Sequence, residues 1–153
     1  MTKKAEINIS AEDRERLLNG LERPRVKGDE NGIWQEIGDE LCFSFDTMES
    51  IAFLRLQFDP DFERMSISDN AKMRVFAMKL HTGKDFRPVR VASTIIKDFC
   101  VYADGVEVVR IENNYRSLVK IPLHIDAKEI SVKWLATNGS EKVHIFSADF
   151  IDA

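Results

Sequence analysis

The chain has 153 residues, of which 44% are hydrophobic and 31% are charged, a composition typical of an ordinary globular domain with its own core. Its formal net charge of −4 argues against a nucleic-acid-binding protein, because such proteins usually carry a basic face. No apolar run approaches the ~18 residues that a membrane-spanning helix needs, and the N-terminus lacks the apolar stretch of a signal peptide. We therefore expect one soluble domain over residues 1–153, in a compartment that the sequence leaves open.

Residues 1–20 are predicted to form an N-terminal extension that contains a short helix over residues 11–20. Ser10 can cap the first turn of this helix, and Asp13 lies close to the spacing of a capping box. Gly20 can end the helix, because glycine readily adopts the left-handed conformation of a helix C-terminus.

After an irregular loop over residues 21–33, the pattern changes to strands at Trp34. Residues 41–45 alternate in part, and residues 51–58 alternate clearly between apolar and polar side chains. The turn residues Asp59-Pro60-Asp61 end that strand. Residues 61–93 are harder to interpret: Met73–Leu80 fits either a helix or a strand, and we favour a strand.

The second half of the chain contains several further strands. Phe99–Tyr102 and Val106–Ile111 flank Asp104-Gly105, a pair that predicts a type I′ hairpin turn. Three more strands are predicted at Leu118–Leu123, Ile130–Ala136 and Val143–Phe150. Seven or eight short strands indicate an antiparallel sandwich or barrel, in which the last third of the chain forms two hairpins.

Alternation within these strands predicts which side chains are buried between two sheets. Trp134 is in phase with Ile130, Val132 and Ala136, so we assign it to the core rather than to a binding surface. The expected core comprises Leu54, Leu56, Phe58, Val109, Ile111, Val119, Ile121, Val132 and Trp134.

The usual signatures of enzymes are missing from the sequence. It contains no Gly-x-Gly-x-x-Gly motif, no Walker loop, no nucleophile elbow and no Cys-x-x-Cys. The three histidines, His81, His124 and His144, are best interpreted as ordinary surface or half-buried residues. Cys42 and Cys100 both lie in apolar runs, which favours two buried free thiols over a single disulfide.

Several motifs occur in an order that resembles a known family. The matching motifs in the last third of the chain are Asn114-Tyr115-Arg116, Pro122, Ala136-Thr137-Asn138-Gly139 and Ile145-Phe146. The N-terminal part of the chain matches the family more loosely. The front match comprises Gly20 to Pro24, Asn31, Trp34 and Phe58-Asp59-Pro60-Asp61. The order resembles the β-sandwich that follows the flavin domain in a family of bacterial FAD-dependent oxidoreductases. The resemblance implies an all-β jelly roll of the galactose-binding-like, discoidin-like type.

The resemblance also implies where a ligand would bind. Recognition in a jelly roll falls to loops at one end, and the candidate ligand-binding residues here are Asn31, Trp34, Asn114, Tyr115 and Arg116. Planar polar groups beside aromatic rings suit a sugar, although the same residues could simply shape turns.

Domains of this kind often hold one structural calcium. Asp59 and Asp61 are the candidate ligands, with Glu63 nearby, and solvated turn carboxylates are the alternative. We expect no other cofactor in this segment.

Two functions of different classes remain open. The first is a non-catalytic accessory domain that orients a flavin-containing catalytic domain or another partner. The second is a carbohydrate-binding module that recognises a glycan through loops at one end of the sandwich. A free-standing enzyme would need convergent catalytic groups in a cleft, which the sequence does not indicate.

Overall fold

The computed structural model describes residues 2–23, 31–61 and 91–152. These residues form an antiparallel β-sandwich with one short α-helix at its N-terminal end, as the sequence predicts. After a 3-10 turn (Thr2–Lys4), the elements are β1 (Glu6–Ile7), α1 (Ala11–Leu18), β2 (Ile33–Glu36), β3 (Glu40–Phe58), β4 (Ile96–Ala103), β5 (Val106–Ile111), β6 (Leu118–Thr137) and β7 (Lys142–Asp152). The strand predicted at Met73–Leu80 lies outside the described residues, as do His81 and Glu63.

The strands are hydrogen-bonded in the order β2-β7-β3-β6-β4-β5, and β1 adds to the N-terminal half of β3. Two long strands, β3 and β6, take part in both layers of the sandwich. The C-terminal half of β3 pairs with β7 and with the start of β6, whereas its N-terminal half pairs with the end of β6. The register shifts between Ser44 and Glu49, and such an irregularity lets a strand bend from one layer into the other.

Aromatic rings join the two layers across the core. Phe43 of one layer meets Phe150 of the other edge-on, with ring centroids 5.0 Å apart. At the other end, Phe58 packs edge-on against Phe99 and Trp134 at 5.6 and 6.2 Å. Because these rings come from β3, β4, β6 and β7, one apolar core lies between the bent halves of the sheet.

The prediction of separate short strands was wrong in two places. Residues 41–45 and 51–58 belong to the single strand β3, and the segments predicted at 118–123 and 130–136 belong to β6. The polar residues that interrupt each apolar pattern lie at the bend, where Glu49 pairs with Ala127 and Ser50 with Asp126. Ser50 and Asp126 are exposed there and Glu49 is half-buried, and neither strand ends at these residues.

The predicted pair of hairpins in the last third is wrong for a related reason. β3 lies between β6 and β7, so the turn at Thr137-Asn138-Gly139 does not join two paired strands. The chain instead passes from one layer to the other at this turn. Local turn chemistry indicates a reversal of the chain, but it does not indicate which strand becomes the neighbour.

The predictions that rest on local chemistry are confirmed. The Ser10 hydroxyl accepts a hydrogen bond from the Asp13 amide at 3.1 Å, and Gly20 has φ +77 just after α1. Asp104 and Gly105 have φ values of +46 and +79, as a type I′ hairpin requires. β5 then returns over Val106–Ile111, the range that the sequence predicts.

Most of the predicted core is buried, and Trp134 is fully buried. Its indole N–H donates to the Gln35 side-chain oxygen at 2.6 Å, so the polar atom of this buried ring is satisfied. The predicted core residues that are only half-buried are Val109, Ile111 and Val119. Val109 and Ile111 lie on β5, which is an edge strand and is covered on fewer sides.

Both cysteines are free thiols in the structure. Cys100 is buried, whereas Cys42 is half-buried rather than buried as expected. Burial raises the pKa of both thiols, which makes each a poorer nucleophile near neutral pH.

Candidate functional site

The alternation of β2 separates its side chains between the core and the outer face. Ile33 is buried in the core and Gln35 bonds the core residue Trp134, so Trp34 between them points outward. Trp34 is 55% exposed, in contrast to the fully buried Trp134. Gly32 precedes this strand with φ +75, and a Cβ built there would clash with the Ile145 carbonyl oxygen. A glycine is therefore needed where β2 begins its close pairing with β7.

His144 on β7 supports the inner face of the Trp34 ring. The two rings are stacked, with centroids 4.0 Å apart and planes within 7° of each other. They are also register partners in the β2–β7 ladder. His144 itself is buried, and Phe146 packs edge-on against it at 4.8 Å. One face of the indole is thus backed by a second ring.

Hydrogen bonds at both ring nitrogens fix the position of His144. Nδ1 lies 2.9 Å from Asp59 Oδ2, and Nε2 lies 2.9 Å from the Asn31 backbone oxygen. Both partners are hydrogen-bond acceptors, one a carboxylate oxygen and the other a backbone carbonyl oxygen. The Asp59 amide also donates to the His144 carbonyl at 3.3 Å. These bonds immobilise the ring behind Trp34.

Asn31 and Asp59 are themselves held by neighbouring groups. The Asn31 side chain is buried and donates to the Arg23 carbonyl at 3.0 Å, so its backbone oxygen rather than its amide contacts His144. Asp59 Oδ1 accepts from the Asp61 amide at 2.8 Å, while Oδ2 faces His144. Each oxygen of the Asp59 carboxylate therefore already has a protein partner.

Within residues 2–23, 31–61 and 91–152, no group of three histidine, cysteine, aspartate or glutamate side chains is arranged to hold a metal ion. The contacts of Asp59 assign its carboxylate to the turn at Asp61 and to His144. The calcium site at Asp59 and Asp61 stays a prediction, which unfolding with and without a chelator would check.

An ion pair holds the edge strand β2 against β7 beside the ring stack. Lys142 Nζ lies 2.7 Å from Glu36 Oε1, and both side chains are largely exposed. The hydrogen bond that Lys142 donates to the Glu36 carboxylate raises the pKa of Lys142. Because the pair is exposed, it contributes little to stability, but it lies two residues from both Trp34 and His144 along their strands.

The loop before β6 contains the other candidate residues. Asn114 is buried, and its amide donates to the carbonyls of Ile96 at 2.7 Å and Arg116 at 3.0 Å. Its side-chain oxygen accepts from the Arg116 amide at 3.0 Å. Asn114 thus shapes the loop, and the preceding Asn113 has φ +56. Tyr115 is half-buried, and the exposed Arg116 guanidinium lies 5.7 Å from the centre of its ring.

These residues form two clusters at one end of the sandwich. The first joins Trp34 and Asn31 through His144 and Asp59. The second is the Asn114–Arg116 loop, whose next residue, Ser117, accepts a hydrogen bond from the Phe58 amide at 2.7 Å. The end of β3 therefore lies between the clusters.

Sequence reasoning selected Trp34 and Asn31 but did not identify His144 as their link. The alternation of β7 held a signal, since Val143 and Ile145 are buried in the core while His144 and Phe146 share the opposite phase. That phase places an aromatic pair on the outer face. Only the β2–β7 pairing shows that the Trp34 ring covers His144 of this pair.

Among the described residues, no helix has the length and apolar character needed to cross a membrane. No protein-family model matches the chain, and no curated protein matches it either.

Solved structures do resemble the chain. One is the family 32 carbohydrate-binding module of Streptococcus pneumoniae EndoD, with a TM-score of 0.61 and 13% identity over 97% of this chain and 93% of that one. A second is GH31 CBM32-2 bound to GalNAc, with a TM-score of 0.56 and 10% identity over 100% of this chain and 94% of that one. A third is a two-domain Bacteroides fragilis protein of unknown function, with a TM-score of 0.59 and 11% identity; the match covers 97% of this chain and 42% of that one. At such identities the likeness shows the fold: the chain has the galactose-binding-like, discoidin-like β-sandwich of these carbohydrate-binding modules.

Proposed function

We propose that this protein is a non-catalytic module that binds a glycan, with Trp34 as the ring on which a sugar stacks. The observation that carries the proposal is the exposed indole backed by the immobilised His144 ring. The apolar C–H face of a pyranose packs on an aromatic ring, and a ring that is already fixed loses little freedom on binding. Trp34 offers such a surface without further rearrangement of its support.

The structural comparisons support this function over a flavin-associated one. Two of the structures described above are carbohydrate-binding modules, and one of those contains GalNAc. The alternative, a domain that orients a flavin-containing catalytic domain, rests on the order of sequence motifs alone. The sequence also lacks the glycine-rich phosphate loop of a dinucleotide site, so under that alternative the flavin would be bound outside this segment.

A glycan array followed by calorimetric titration tests the proposal. We expect the protein to bind at least one glycan class and Trp34→Ala to abolish that binding while the fold is retained. Met48→Ala is the matched control, because Met48 is 57% exposed but lies at the bend of β3, away from the ring stack. Loss of binding in both variants, or in neither, would contradict the role of Trp34.

Titration with FAD tests a prediction that the two functions share. Neither function predicts a bound flavin spectrum when the protein is mixed with FAD, because the accessory-domain alternative places the flavin in a separate catalytic domain. Tight stoichiometric binding of FAD would contradict both functions, whereas a blank glycan array without flavin binding would favour the accessory-domain alternative.

A further inference from the structure

The two clusters at this end of the sandwich are joined by strand ends that lie side by side. Trp34 pairs with His144 on β7, and His144 accepts at its backbone oxygen from Asp59, which follows β3. Phe58 at the end of β3 donates in turn to Ser117, which precedes β6. From β2 to β6 there are three strand spacings of ~4.8 Å, so the backbones of Trp34 and Ser117 are about 14 Å apart.

The two ends of this row offer different chemistry. At one end the Trp34 ring is flat and exposed, and it presents no directional hydrogen-bonding groups from its face. At the other end Arg116 is exposed, and its guanidinium packs over the Tyr115 ring. Stacking of this kind holds the planar fork in place, so its N–H groups can bond a pair of oxygens. No carboxylate among the described residues forms an ion pair with Arg116.

We infer, on the basis of the proposed glycan binding, that the ligand is an oligosaccharide of at least three sugar units running across the strand ends from Trp34 to Arg116. One pyranose ring is roughly as wide as one strand spacing, ~5 Å, so a single sugar stacked on Trp34 stops well short of Arg116. A chain of three or four units reaches both clusters. The first unit stacks on the indole, and the last one places hydroxyl or carboxylate oxygens against the guanidinium.

Calorimetric titration with two series of oligosaccharides of defined length tests this span. The probes are β-1,4-linked galactose oligomers and α-1,4-linked galacturonate oligomers, each from one to five units, which separate hydroxyl from carboxylate recognition at Arg116. For at least one series, we expect the affinity of the protein for the oligomer to rise roughly tenfold, about 1.4 kcal/mol, between one and four units and then to level off. The four-unit ligand binds with one molecule per protein.

Two variants locate the ends of the ligand. Trp34→Ala weakens binding at every length, whereas Arg116→Ala removes the gain in affinity with length. Lys120→Ala is the control, because Lys120 is an exposed cation on β6 whose ammonium group lies over Phe53, 3.9 Å from the ring centre.

The proposed span would be overturned by equal affinity for ligands of one and four units. It would also be overturned by two sugars bound per protein, or by no binding of either oligosaccharide series. An equal effect of Arg116→Ala at all lengths would also overturn it. Glycan binding on the array with no dependence on length refutes the span alone, whereas a blank array refutes the proposed function as well.

Discussion

The two tryptophans lie in neighbouring parts of the sandwich but in opposite surroundings. Trp134 is fully buried between the layers, with Phe58 and Phe99 around it. Trp34 is 55% exposed on the outer face of β2. Gln35, the residue next to Trp34, bonds the Trp134 indole N–H, so one short strand separates the two environments. Burial makes one ring a source of stability and leaves the other free to contact a ligand.

The difference extends to the polar groups that support each ring. Inside the core, the Trp134 indole N–H is satisfied by the one hydrogen bond that it donates to the Gln35 side-chain oxygen. On the outer face, Trp34 is supported indirectly, through a histidine that Asp59 and Asn31 hold on both sides. A buried ring is positioned by dense packing, whereas an exposed ring needs a separately fixed partner. The outer arrangement therefore fits the binding surface that we propose.

The largest expected effect separates the two tryptophans by stability. Trp134→Ala should lower the free energy of unfolding by about 3–5 kcal/mol, because it leaves a cavity in a close-packed core. Trp34→Ala should lower it by only about 0.5–1.5 kcal/mol, because the exposed indole loses its stacking on His144 but leaves no cavity in the core. Urea unfolding measures both values. Similar losses in the two variants would show that Trp34 belongs to the core.

A second prediction concerns the glycine that lets β2 approach β7. Gly32→Ala should cost more than Gly20→Ala, although the two residues have nearly equal φ values of +75 and +77. Backbone strain alone costs roughly 1–2 kcal/mol at either position, but only at Gly32 would the new Cβ meet a carbonyl oxygen. Thermal unfolding of both variants isolates the effect of that contact. Equal midpoints would contradict the close approach.

The two cysteine thiols should also differ in reactivity according to their burial. Cys42 is half-buried and Cys100 is fully buried, and burial raises the pKa of both. A disulfide reagent at pH 8 should modify Cys42 slowly and Cys100 only after unfolding, because the thiolate is the reactive form and must also be reached. A Cys42→Ser variant provides the control. Equally fast modification of the folded variant would show that Cys100 is accessible.

The smallest expected effect concerns Glu22, which forms an ion pair with Arg55 on the outer face of β3. The hydrogen bond from Arg55 lowers the pKa of Glu22, so this contribution to stability is present above the ordinary glutamate range and is lost as the pH falls through the lowered value. Because Glu22 is partly exposed, we expect Glu22→Gln to cost only about 0.5 kcal/mol at pH 7.

The pH dependence of that difference provides the check on Glu22. Wild type and Glu22→Gln should approach equal stability once the pH is below the lowered pKa of Glu22, where the carboxyl group is neutral in both the folded and the unfolded chain. A stability difference that stays constant as the pH falls through the acidic range would assign the effect to packing rather than to charge.

The sequence by itself determined the features that depend on near neighbours. Ser10 and Gly20 bound the helix, Asp104-Gly105 makes the hairpin, and alternation places Trp134 inside. Each of these follows from a few adjacent residues, because caps, turns and the period of a strand are local properties.

Only the tertiary structure decided which strands become neighbours. The bends that keep β3 and β6 continuous depend on partners up to about 90 residues away, since Leu41 pairs with Val132. The same holds for the candidate site: His144 meets Asp59 and Asn31 from sequence distances of 85 and 113 residues. No local pattern encodes such contacts, because they exist only once the layers have packed and brought distant strand ends together.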